Sequence, residues 1–231
     1  MLPPDKNGKE FPGIRHKTVV EHVVDAIVRA LAEGHLMPGD RVIERDLATR
    51  LGVSRAPIRE ALRLLESQGV VVNSPYRGMR VMDVDVEKIR QIIVVRAELE
   101  CLAVREAFRH DGVRVSILAD IDATVEELTG AAEAGDHYRL ALADVTFHSV
   151  MFRYSDNAVL MGLWQAVERQ LTVIFSLSSM GKGLDSVLQE HKEMRRIIAE
   201  DDVETICAAF RRHIVEQGAF VDLSALKQQK S

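Results

Sequence analysis

Aromatic residues make up only 5% of the 231-residue chain, with a single Trp, and there are just two cysteines. The shortage of aromatics counts against an all-β protein, whose strands draw on Tyr, Phe and Trp. The abundance of Ala, Leu, Val, Glu and Arg favours helices instead. Cys101 and Cys207 lie on helical-looking segments far apart in the chain. They read as buried reduced thiols, with a lone disulfide as the alternative, and a disulfide framework is excluded. No apolar run approaches the roughly 18–20 residues of a membrane helix. Residues 1–16 are polar, contain Pro and Gly, and have no apolar core of the secretory type. The expectation is a cytoplasmic protein with no membrane partner.

A strong positive charge is also missing. The chain carries 30 Lys+Arg against 35 Asp+Glu, a net −5. The deficit is uneven. Residues 1–83 hold 13 basic and 11 acidic side chains, and residues 84–231 hold 17 and 24. Phosphate contact needs only a local cationic surface, because fields are screened within about 8–10 Å at physiological salt. Overall acidity therefore does not exclude a nucleic-acid partner.

The chain is long enough for two domains. An amphipathic segment from about Lys17 to Glu33 places Val20, Val23, Val24, Ile27 and Leu31 at three- and four-residue steps. Gly34 ends it, and Pro38-Gly39-Asp40 reads as a turn. A short helix over 44–51 follows, with Leu47, Ala48 and Leu51 inward and Gly52 as its C-cap. The next helix runs from Ser54 to near Gly69. Two short strands, 70–72 and 79–81, flank the turn residues 73–78. Beyond Asp83 the helical period continues, with breaks near 111–112, 135–136, 155–157, 181–183 and 201–202. The expected architecture is mainly α: an N-terminal winged helix-turn-helix and a C-terminal antiparallel bundle of about six helices. The expected divisions are a flexible segment 1–16, a first domain 17–83 and a helical domain 84–231.

Residues 44–62, ERDLATRLGVSRAPIREAL, carry the most information. A short helix, a Gly-containing turn and a second helix make a helix-turn-helix unit. Ser54 suits the second helix's N-cap, and Pro57 is tolerated in its first turn. Ile58, Ala61, Leu62 and Leu65 form a buried stripe. Arg55, Arg59 and Arg63 recur every four residues on a neighbouring face. In such a unit the N-terminal end of the second helix enters the major groove, where Arg reaches guanine edges or phosphates. A merely solvated arginine face is the bland alternative; the hairpin that follows, with Arg77 and Arg80, weighs against it. Residues 33–42, EGHLMPGDRV, together with Leu47-Ala48 and the run 52–62, resemble the GntR-family winged helix over about residues 18–82. That resemblance implies DNA contacts from Arg45, Arg55, Arg59 and Gly78, with Ser54 and Arg77 as secondary candidates. Ala56 stands where the family often has Thr, so a hydroxyl contact is absent there.

In the second half, Asp144 and His148 are four apart and share a helix face. His191 and His213 lie on two other predicted helices. One carboxylate and three imidazoles converging in a bundle would suit a first-row divalent metal. Single helical histidines, however, are more often surface or core residues. His16, His22, His35, His110 and His137 have no partners at such spacing. Residues 88–222 resemble the FadR C-terminal, or FCD, effector domain. The resemblance rests on 95–100 (VRAELE), 144–148 (DVTFH), Asn157, Glu190-His191 with Ile197-Ile198, and 212–214 (RHI). It implies a divalent metal, whether zinc, nickel or manganese, on Asp144, His148, His191 and His213. Arg96 is the candidate contact for an effector carboxylate, against the alternative that it pairs with Glu98 or Glu100 on the bundle surface.

The expected protein is a ligand-responsive regulator, a homodimer on double-stranded operator DNA that responds to a small organic acid and acts as a repressor. It is not expected to be an enzyme. A metal-dependent enzyme acting on a small carboxylate, or a regulator with a purely structural metal, are the alternatives. Against the enzyme, the sequence has no nucleophile motif and no phosphate-binding Gly-rich loop.

Overall fold

The computed structural model describes residues 18–74, 76–178 and 183–219. The 1–16 segment, Lys17, Pro75, Gly181 and Lys182 fall outside the described residues. Helix α1, Val19–Ala32, begins at Thr18, which closes a reciprocal capping box: its hydroxyl accepts from the Glu21 amide while the Glu21 carboxylate accepts from the Thr18 amide. Val23, Val24, Ile27, Val28 and Leu31 are buried along one face, with Val20 at the margin. α2, Glu44–Leu51, stops at Gly52, whose φ of +66° lets its amide reach back to the Ala48 carbonyl. α3, Arg55–Ser67, buries Ile58, Ala61, Leu62 and Leu65.

The hairpin differs in detail from the sequence reading. β1 is Val71–Ser74 and β2 is Gly78–Val81, paired antiparallel with Val71 opposite Val81 and Ser74 opposite Gly78. Asn73 and Ser74 therefore belong to the ladder rather than to the turn. Gly78 accommodates the reversal at φ +75°. The chain after Gly39 lies along the second strand, with an Arg41–Arg80 bridge and a Val42 amide to Met79 carbonyl hydrogen bond of 2.9 Å.

Six helices complete the described chain: α4 Val86–Ala107, α5 Val113–Glu133, α6 His137–Tyr154, α7 Ala158–Ser178, α8 Leu184–Glu200 and α9 Val203–Ala219. Their starts follow the polar breaks. Asp85 accepts from the Lys88 amide, Asp136 from the Arg139 amide, Asn157 from the Leu160 amide and Asp202 from the Thr205 amide. Packing pairs α5 with α6 and α8, α6 with α7, and α4 with α9 and α6. Phe152 stacks on Trp164 at 4.4 Å in the bundle interior. Trp164 satisfies its ring N–H on Ser149 Oγ at 2.7 Å.

The winged head is docked on the bundle. α1 packs along α7, and one apolar cluster runs from Val23 and Leu62 through Val104 to Phe147 and Phe210. Gln170 Nε2 of α7 donates to the Gln68 carbonyl at 2.8 Å. Arg169 lies 3.7 Å from Asp25 of α1. Cys101 and Cys207 are buried free thiols facing each other across α4 and α9, each Sγ directed at the other's backbone carbonyl. Among the described residues no helix is long and apolar enough to cross a membrane.

Candidate metal centre and DNA-reading surface

Helical spacing delivers the inner site in pairs. α6 contributes Asp144 and His148, one turn apart and both buried. α8 contributes His191 and α9 contributes His213, also buried. One ligand atom from each of the four lies within 4.8 Å of the others. His148 stacks on His213 with centroids 5.3 Å apart, and Phe147 closes edge-on against His191 at 4.8 Å.

Two ring orientations are set from behind. His148 Nδ1 meets Glu100 Oε2 at 2.5 Å, and His191 Nδ1 donates to the Val187 carbonyl at 2.8 Å. A proton on each Nδ1 leaves the Nε2 lone pairs turned into the site, which is the outer-shell arrangement typical of metal-ligating histidine. His213 Nδ1 lies 3.6 Å from Glu190 Oε2, too far for a hydrogen bond.

The inward atoms lack partners. His148 Nε2, His191 Nε2, His213 Nε2 and Asp144 Oδ2 are buried without a hydrogen bond. His191 Nε2 does approach Asp144 Oδ1 at 3.1 Å, but without hydrogen-bond alignment. Four neighbouring buried acceptors left unpaired are costly in the absence of a cation. Three imidazole nitrogens and one carboxylate oxygen are the donor set a divalent transition metal takes, so the residues fit such an ion.

The electrostatics agree with that donor set. Burial and repulsion from His191 and His148 keep His213 well below the usual imidazole range, in its neutral form. Burial lowers His148 likewise, against the opposing pull of Glu100. Burial works to raise the Asp144 carboxyl, but His191, His148 and Arg96 overcome it and hold the group as a carboxylate.

Arg96 settles part of the choice left open by the sequence. It does pair with Glu100, at 2.5 Å, but inside the bundle, both side chains being fully buried. Glu98 pairs instead with Arg211 at 2.9 Å. Arg96 Nη1 donates to Gln217 Oε1 at 2.8 Å, the Phe175 ring lies 5.2 Å from Cζ, and Nη2 has no partner. Gln217 in turn donates to Asp144 Oδ1 at 2.8 Å. Sequence reading singled out neither Glu100 nor Gln217 as part of the site. Each sits four residues beyond a residue that was singled out, Arg96 and His213, and so shares its face.

On the head, Arg45, Ser54, Arg55 and Arg77 are exposed, and Gly78 is half-buried. Ser54 has N-cap backbone geometry but makes no side-chain capping bond, so its hydroxyl is not used by the helix. Arg59 is exposed yet tethered, its guanidinium making two bonds to Glu44 of α2 at 3.3 and 3.1 Å. Arg80 is structural: Nη1 donates to the Gly39 carbonyl at 2.8 Å and binds the wing to the preceding turn. Tyr76, unflagged in the sequence, stands fully exposed at the wing tip with φ +62°.

Comparison with known proteins places this architecture. Residues 19–81 match the family of bacterial regulatory proteins called gntR, and residues 91–216 match the FCD domain. A probable D-xylose utilization operon transcriptional repressor of Paenarthrobacter nicotinovorans is 29% identical over 197 residues, spanning 85% of this chain and 86% of that one. The HTH-type transcriptional regulator McbR of Escherichia coli is 29% identical over 147 residues, 64% of this chain and 66% of the relative. In structure, E. coli McbR superposes with a TM-score of 0.72 at 21% identity, covering 94% of this chain and all of the other. A GntR regulator from Rhodococcus gives 0.70 at 21% identity, covering 87% and 96%. The chain is a ligand-responsive, DNA-binding transcription regulator of the GntR family, in the branch that carries an FCD effector domain.

Proposed function

We propose that this regulator is a cytoplasmic homodimer that binds double-stranded operator DNA through residues 17–83 and senses a small organic acid through residues 84–231. Repression follows the name of the Paenarthrobacter relative. Arg45, Arg55, Arg59, Ser54, Arg77 and Gly78 are the DNA-contacting set. Arg59 leaves Glu44 or carries it to the groove. Two-fold-related heads on two half-sites supply the specificity that one small head lacks.

The observation that carries the sensing reading is the buried quartet of partnerless ligand atoms beside a partnerless Arg96 Nη2. Asp144, His148, His191 and His213 hold a divalent ion, zinc, nickel or manganese. Such an ion supplies coordination positions for an acid's oxygens. Arg96 holds the acid's carboxylate by charge-assisted hydrogen bonds.

Elemental analysis of the untagged protein beside its folded His148→Ala, His191→Ala and His213→Ala variants tests the metal. Near-stoichiometric metal in the wild type, lost in all three, is the expected result. No metal after incubation with zinc, nickel and manganese would reduce the quartet to packing and leave the DNA-binding role standing.

A further inference from the structure

Arg96 is a hub with two arms. Its Nε reaches Glu100 Oε1, whose other oxygen holds His148 Nδ1. Its Nη1 reaches Gln217 Oε1, whose amide nitrogen holds Asp144 Oδ1. The guanidinium therefore stands one residue away from two of the four ligands, and only Nη2 is free. A planar carboxylate binds guanidinium best through two parallel bonds. The edge formed by Nε is closed by the fully buried Glu100. The remaining edge is Nη1 with Nη2, and half of it is taken by Gln217.

We propose that Gln217 is an internal stand-in for the effector: its carboxamide fills the gap between Arg96 and Asp144 and must be displaced before a carboxylate can take both terminal nitrogens of Arg96. The inference rests on the acid-sensing reading above and adds its regulation. Three features fit a removable occupant. The carboxamide is neutral, so it satisfies Arg96 with a weaker bond than a carboxylate gives. Gln217 is half-buried while both its partners are fully buried, which places it on the solvent side of the pair. It lies in the last turn of α9, whose earlier turn carries His213. Effector capture thereby bears on the end of the helix that supplies a metal ligand, and α9 packs along α4, the first helix after the head.

An intramolecular competitor multiplies the apparent dissociation constant of the ligand it excludes by the reciprocal of the fraction of protein left unblocked. The test uses acetate on metal-loaded protein, followed by calorimetry, with metal content and circular dichroism checked for every variant. Gln217→Ala is expected to bind acetate about tenfold tighter, the equivalent of one to two lost neutral hydrogen bonds. Gln217→Glu, a tethered carboxylate, is expected to abolish binding, and Arg96→Ala to abolish it in any background. A purely structural Gln217 would leave acetate affinity the same or lower in the alanine variant, never higher. Wild-type binding lost in Arg96→Ala but unchanged or weakened in Gln217→Ala would overturn the stand-in while sparing the acid-sensing reading. Acetate binding that persists in Arg96→Ala, or that no variant shows, would overturn both.

Discussion

At the scale of single residues, the same side-chain chemistry serves different ends according to its neighbours. Arg55 and Arg80 flank one helix-turn-helix and wing, yet Arg80 is spent on a backbone carbonyl and Arg55 faces solvent. Arg55→Ala should weaken specific operator binding roughly ten- to hundredfold, in line with about 1–3 kcal/mol per lost base contact. Arg80→Ala should instead act through the wing's attachment to Gly39. Fluorescence anisotropy on a labelled operator and on a scrambled duplex separates the two. An Arg55→Ala loss confined to the operator marks base reading, and an equal loss on both duplexes marks phosphate contact.

At the scale of elements, several helices were legible because they follow a capping-type residue, Thr18, Ser54, Asp85, Asp136, Asn157 or Asp202. Asp85, Asp136 and Asn157 cap as their residue types predict. Asp144 with His148 was legible for the same reason, since a four-residue step needs no tertiary knowledge. The wing's ladder was not. Asn73 and Ser74 are turn-forming types, and only pairing with Gly78 and Met79 makes them strand. Nor was the seam between α7 and the head, because Gln170 meets the Gln68 carbonyl across 102 positions with no local pattern to announce it. That seam makes a prediction at Gly69. Its φ is +69°, and a Cβ there would lie 2.8 Å from Gln170 Nε2. Gly69→Ala should cost about 1–2 kcal/mol for the left-handed backbone and push Gln170 off the Gln68 carbonyl. Urea titration reads the stability. A midpoint equal to wild type would mean that neither the backbone nor the seam is strained as described.

At the scale of the whole molecule, the quartet ties α6, α8 and α9 together around one point. If the quartet carries the proposed ion at about a hundredfold above its dissociation constant, removing it with a chelator should lower the thermal midpoint by roughly 5–10 °C. Acetate titration on the stripped but folded protein distinguishes two roles. Affinity that falls with the metal marks a sensing site. Affinity that survives while the midpoint drops marks a staple among three helices and no more.

The apolar cluster that runs without a gap from Val23 to Phe210 has a consequence for how this protein can be rebuilt. A head lifted from a relative and grafted at residue 83 would inherit a surface shaped for another body. It would meet α7 without the Asp25 and Gln68 that Arg169 and Gln170 pair with here. Chimaeras in this branch should therefore be cut so that α1 and α7 travel as a matched set. Selection faces the same constraint, and a new operator is reached more readily by changing Arg55 and its exposed neighbours than by exchanging the reading head whole.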